Sequence, residues 1–68
     1  MKLSARNQLK GRITAIHKGA TTSHVEIEVG GMTLTASITN ESVAALGLAV
    51  GKDAYAVIKA SDVMVGID

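Results

Sequence analysis

Residues His24 to Ile38 read HVEIEVGGMTLTASI, and their unbroken alternation constrains this chain more than any other feature. Val25, Ile27 and Val29 share one side of an extended backbone, with Glu26 and Glu28 on the other. Past Gly30-Gly31, Met32, Leu34, Ala36 and Ile38 oppose Thr33, Thr35 and Ser37. Period-two patterning of this kind marks strands with one dry and one wet face. Two glycines between the runs supply the positive φ angles of a two-residue hairpin turn. The chain must therefore contain an antiparallel hairpin, and its remaining residues must cover the hairpin's apolar side.

The flanking segments read as further strands and one helix. From Asn7 to Lys18, β-branched Ile13, Thr14 and Ile16 alternate imperfectly with Lys10, Arg12 and Ala15, which predicts a first strand with one wet face. Thr39 or Asn40 can cap a short helix, Glu41 suits the positive end of its dipole, Val43, Ala44 and Leu46 form its apolar stripe, and Gly47 ends it. Ala54 to Ala60 is almost continuously apolar, as for a strand buried on both faces, and Val63 to Ile67 predicts a last strand after Ser61-Asp62. Strand, strand, strand, short helix, strand, strand is the order of an all-β, five-stranded Greek-key barrel of the OB type, with the helix between strands 3 and 4. No repeat or linker divides residues 1–68, so a single domain is expected.

Such a barrel has little to fill it. Among 68 residues there are no Phe, Trp or Cys, one tyrosine (Tyr55) and ten alanines. Small aliphatic side chains each bury little area, and neither disulfides nor thiolate metal sites are available as staples. Association with other copies is the staple that remains. With 47% hydrophobic and 19% charged residues, the chain is too apolar for disorder. Its apolar runs, such as Val43 to Leu46 and Leu48 to Val50, are far too short to cross a bilayer. Arg6, Asn7, Gln8 and Lys10 interrupt any secretory apolar segment, so a cytoplasmic location is expected.

Charge narrows the function. Lys2, Arg6, Lys10, Arg12 and Lys18 all precede the first acidic residue, Glu26. A basic first half invites an anionic partner, either a nucleic-acid backbone or a small oxyanion. Single-stranded nucleic acid needs aromatic stacking platforms as well, and Tyr55 stands alone in an apolar run. Catalysis finds no constellation: His17 and His24 lack metal-ligand spacing, no serine lies in G-x-S-x-G, and the glycines form no phosphate-binding loop. Neither an enzyme nor a protein with a bound metal or cofactor is expected.

Short donors cluster instead near predicted strand ends, and these carry a resemblance. Ser4-Ala-Arg-Asn-Gln-Leu-Lys-Gly11 resembles the opening signature of the Mop domain, the molbindin fold of small molybdate-binding proteins. Ile38-Thr39, a polar pair and Ala45-Leu-Gly-Leu48 resemble that family's helix region, and Gly51-Lys52 with Ile58-Lys-Ala-Ser-Asp-Val63 its closing segment. Together they cover nearly the whole chain, and the joint occurrence of the first and last stretches is far more specific than either alone. The resemblance implies molybdate or tungstate binding for storage or homeostasis. It also implies a homohexamer, a trimer of dimers, with the ligand between subunits and the first strand completing a neighbour's barrel. Additional oxyanion sites on a threefold axis are implied too, with the turn from His17 to Ala20 as the candidate.

The residues carried over are Ser4, Ala5, Arg6, Asn7, Thr39, Lys59, Ala60 and Ser61. Molybdate at neutral pH is a tetrahedral dianion with no proton to give, so its site needs donors. Ser4, Thr39 and Ser61 offer hydroxyls, Arg6 and Lys59 cations, and the chain near Ala5 and Ala60 backbone N–H groups. Arg6, with its planar fork, is expected to make the strongest contact. Asn7 could equally fix the start of the strand through a backbone hydrogen bond, and Lys59 could be an ordinary snorkelling side chain on a rim. A nearby carboxylate would favour protonated phosphate over molybdate. The competing functions are nucleic-acid binding and a module for a pterin or a protein partner.

Overall fold

A computed structural model describes residues 1–68. Its elements are β1 (Asn7–Lys18), β2 (Thr22–Val29), β3 (Met32–Thr39), α1 (Asn40–Leu46) and β4 (Asp53–Ile58), followed by a single 3-10 turn, Ala60–Asp62. The four strands form one antiparallel sheet in the order β3-β2-β1-β4. The hairpin is as the alternation requires: Val29 pairs with Met32, and Gly30 and Gly31 take φ of 57° and 80°.

β1 serves two partners in turn. Its first half pairs with β4, from Asn7 opposite Ile58 to Arg12 opposite Asp53. Its second half pairs with β2, from Arg12 opposite Glu28 to Lys18 opposite Ser23. A bulge between Ile13 and Ala15 bends the strand between these roles. Gly11 marks the closest approach: a Cβ there would lie 2.3 Å from the Glu28 carbonyl oxygen and 2.8 Å from an Ile27 methyl. Both halves of β1 are thus matched inside the chain itself, where the resemblance implied a strand given to a neighbour.

The helix lies between β3 and β4, as expected, and Thr39 is its cap. Its hydroxyl accepts the Ser42 N–H at 3.0 Å. Asn40 instead fastens the helix to the start of β2. Its backbone N–H donates to the Thr21 carbonyl at 2.9 Å, its Nδ2 donates to the Gly19 carbonyl, and its Oδ1 accepts the hydroxyl of buried Ser23. Gly47, at φ 63°, closes the helix with its N–H on the Ala44 carbonyl. Val43 and Leu48 pack on the core, whereas Leu46 of the predicted apolar stripe is exposed.

Two expectations need correction. The fourth strand ends at Ile58 instead of Ala60, and it is not buried on both faces. Tyr55 and Val57 are 49% and 42% exposed, while Ala54, Ala56 and Ile58 between them are half-buried. The fifth strand is absent: Val63 to Ile67 joins no ladder, so the sheet has four strands and the barrel does not close within one chain. The cause is local. The 3-10 turn, with Asp62 N–H on the Lys59 carbonyl and Val63 N–H on that of Ala60, carries the chain away from its own sheet.

What remains inside is small. Ile13, Val25 and Ile27 are the buried hydrophobic residues, supported by partly buried neighbours such as Ile16, Ile38 and Val43. A folded monomer of 7.0 kDa exposes about 4,000 Å². This chain exposes 5325 Å². Its radius of gyration is 12.6 Å, against about 11 Å for a compact domain of this length. Since the Gly11 site is closed by backbone, Gly11→Ala is expected to lower stability by about 1–3 kcal/mol, measured by chemical denaturation at fixed protein concentration.

Candidate functional site

The antiparallel register of β1 and β4 builds the site. Asn7 faces Ile58 in the last pair of the ladder. Beyond that end the two segments run on as Ser4–Arg6 before β1 and Lys59–Ser61 after β4. These six residues, with Val57 and Asp62, line one open cleft of about 670 Å³. Two stretches more than fifty positions apart in sequence thus form facing lips. Asn7 is the clasp: its Nδ2 donates to the Ile58 carbonyl at 3.2 Å. Gln8 steadies the first lip by donating to the Ala5 carbonyl at 2.9 Å.

Of the eight residues carried over, the structure therefore gathers six. Asn7 sits at the base in the backbone-fixing role that was its alternative. Thr39 is elsewhere: it pairs with Thr22 beside the end of β1 opposite the cleft. Within a single chain, Thr39 is the helix cap and cannot reach the cleft. The turn from His17 to Ala20 lies at the same far end of β1. Its Gly19 N–H is held by the Thr22 carbonyl, and His17 lies 3.8 Å from Glu26.

The cleft's chemistry is that of a donor set with one exception. Two cations, Arg6 and Lys59, stand beside two hydroxyls, and neither cation has a carboxylate within ion-pair distance. Asp62 also lines the cleft and was not anticipated, although it directly follows Ser61 in the same short run. Arg6, Lys59 and Asp62 together leave a net charge of +1. Only Ala5 of the lining is even partly buried, apart from which the groups stand in water. Val57 was not anticipated either. It forms a wall shared with a second cavity, an apolar groove of about 630 Å³ between β3 and β4.

Fold and cleft define a small β module of the OB-like class, with a cationic, hydroxyl-bearing mouth at the end of its first strand. The TOBE domain profile matches residues 3–65, and the chain belongs to that family, among its molybdenum-pterin-binding (Mop) members. Molybdenum-pterin-binding protein 3 of Clostridium pasteurianum is 46% identical over 66 residues, covering 96% of this chain and 97% of the relative. The structure of a molybdate-binding protein from Sporomusa ovata superimposes with a TM-score of 0.94 at 36% identity, over 98% of this chain and 100% of that one. The cytoplasmic molybdate-binding protein ModG, solved with molybdate bound, gives a TM-score of 0.95 at 45% identity, over all of this chain and 49% of its own.

The placement of Thr39 yields a direct expectation. Thr39→Ala removes the helix cap and is expected to cost about 1 kcal/mol of stability, whereas Thr39→Ser keeps it; paired denaturation curves measure the difference.

Proposed function

We propose that this protein binds molybdate or tungstate in the cleft between Ser4–Arg6 and Lys59–Ser61, without catalysing a reaction, and serves storage or homeostasis of the oxyanion in the cytoplasm. The observation that carries this reading is the convergence of Ser4, Arg6, Lys59 and Ser61 on one cleft from opposite ends of the chain. The names of its relatives support it: the Sporomusa protein is a molybdate-binding protein, and ModG is described as cytoplasmic and was solved with molybdate. In this chain no helix is long and apolar enough to cross a membrane.

The physical case rests on what the cleft can donate. A tetrahedral dianion accepts hydrogen bonds on every oxygen, and hydroxyls, a guanidinium and an ammonium supply them. Arg6 can bridge two oxygens with its fork, while Lys59 acts as a point charge. In one chain these groups are exposed, and ion pairs in water are worth about 0–1 kcal/mol. The cleft is also far larger than one ordered water, at about 30 Å³, so a single copy leaves the ligand half-open. A homohexamer with the ligand between subunits removes both defects: a second copy covers the cleft, lowers the local dielectric and is the only route by which Thr39 can contribute.

Nucleic-acid binding is the weaker reading, because Tyr55, the one aromatic, lines the apolar groove away from the cationic cleft. The pterin in the relatives' names keeps a pterin module as the alternative, and competition separates the two. A molybdate site should hold its ligand against millimolar sulfate.

Two substitutions test the assignment by calorimetry. Arg6→Ala is expected to weaken molybdate binding by about 1.5–3 kcal/mol, the scale of a hydrogen bond to a charged group; an unchanged affinity removes the site. Asp62→Asn is expected to tighten it by about 0.2–1 kcal/mol, the scale of an exposed charge interaction, with the gain fading as salt is added.

A further inference from the structure

For a ligand that is all acceptor, Asp62 is only a source of repulsion, yet it stands in the cleft beside Arg6 and Lys59. None of the three has a charged partner in the protein, whose one ion pair joins His17 to Glu26. The Asp62 carboxylate accepts no hydrogen bond either. Its backbone, by contrast, is fixed: the Asp62 N–H donates to the Lys59 carbonyl at 2.9 Å, so one turn carries the ammonium, the Ser61 hydroxyl and the carboxylate together. The cleft therefore presents two free cations and one free anionic acceptor on a single surface.

Such a surface sorts tetrahedral anions by their protons. Molybdate, tungstate and sulfate carry none at neutral pH, and every oxygen only accepts. The monohydrogen forms of phosphate and arsenate have the same shape and the same double charge, but they keep one O–H that needs an acceptor of its own. Among the residues lining the cleft, Asp62 is the one anionic acceptor. The hydroxyls of Ser4 and Ser61 can also accept, but as neutral groups, and an O–H on a carboxylate makes the shorter and stronger bond. Arg6 and Lys59 are then left for the bare oxygens.

We propose that the cleft also takes monohydrogen oxyanions of the phosphate class, with Arg6 and Lys59 on the unprotonated oxygens and Asp62 accepting the O–H, so that these ions compete with molybdate for one seat. The proposal rests on the oxyanion reading above and adds a second class of ligand to it. No proton changes hands; it stays on the ligand oxygen and is shared as a hydrogen bond. One side chain thus acts with opposite sign on two classes of anion, repelling the proton-free class through its charge and binding the protonated class through its lone pairs. A merely structural role for Asp62 would move both affinities in the same direction.

The test is calorimetry on the full chain in mildly alkaline, phosphate-free buffer, with molybdate, sulfate, inorganic phosphate and methyl phosphate as probes. Inorganic phosphate is then chiefly the monohydrogen dianion, whereas methyl phosphate is a dianion with no proton left. Wild-type protein is expected to bind inorganic phosphate about tenfold more tightly than sulfate or methyl phosphate, the scale of one hydrogen bond to a charged group, and phosphate should displace bound molybdate competitively. Asp62→Ala removes charge and acceptor together while keeping the backbone N–H that forms the turn. Its affinity for molybdate should rise and its affinity for phosphate fall, changing their ratio by about tenfold. Asp62→Asn keeps a neutral carbonyl acceptor, and its ratio should lie between the two. Equal binding of phosphate, sulfate and methyl phosphate by the wild type overturns the proposal, as does an Asp62→Ala variant in which phosphate and molybdate affinities move together. Protein that binds molybdate but no phosphate defeats this proposal alone. Phosphate binding with the stated dependence on Asp62, but no uptake of molybdate, defeats the molybdate assignment alone, and protein that binds neither defeats both.

Discussion

The pairing of β1 with β4 is the constraint on which the rest of the molecule depends. It brings a stretch near the first residue and a stretch near the last into opposition, and it does so by register alone. A slip of one residue would reverse which side chains face the core. Three features hold the register. Asn7 bonds the Ile58 carbonyl, the bulge at Thr14 separates the two halves of β1, and Gly11 lets the strand press against the Glu28 carbonyl where any side chain would collide. Gly51 and Lys52 add a second tie, since Ile13 exchanges backbone hydrogen bonds with both ahead of β4.

That sheet is anchored by very little buried matter. With no phenylalanine or tryptophan, the interior comes down to Ile13, Val25 and Ile27 plus partly covered neighbours. Burial of a few aliphatic side chains at about 1.5–3 kcal/mol each is modest against the backbone entropy of nearly seventy residues. Both the excess exposed area and the expanded radius follow from the same shortage. A chain built this way leaves many apolar groups outside because there is little interior to receive them.

The hairpin was fully legible in the sequence, because strict alternation and paired glycines encode both the strands and the turn between them. The helix was legible too, though only the structure decides between Thr39 and Asn40: the first caps, and the second locks the helix to β2. Val63 to Ile67 was misread because periodicity reports what a segment can pair as, never where its partner lies. The apolar run Ala54 to Ala60 misled for a related reason. Ala54, Ala56 and Ile58 are half-buried while Tyr55 and Val57 stay largely exposed, and all five border an open apolar groove, where the sequence suggested burial on both sides. In the site, Arg6 and Lys59 were readable only through resemblance, since nothing local in either stretch announces the other. Asp62 is readable in the sequence only as the neighbour of Ser61.

Asp62 also bears on how strongly the proposed cleft can hold an anion. A cleft with a net charge of +1 attracts a dianion weakly when water surrounds it, because at 4 Å two unit charges interact by only about 1 kcal/mol in bulk water but about 4 kcal/mol at the effective dielectric of a protein surface. The residues supply the donors, but the environment sets what each is worth. Under the proposed function, the same side chains would gain strength from a second surface that excludes solvent. A thin core that leaves apolar groups outside and a cleft that stands in water are two consequences of one composition.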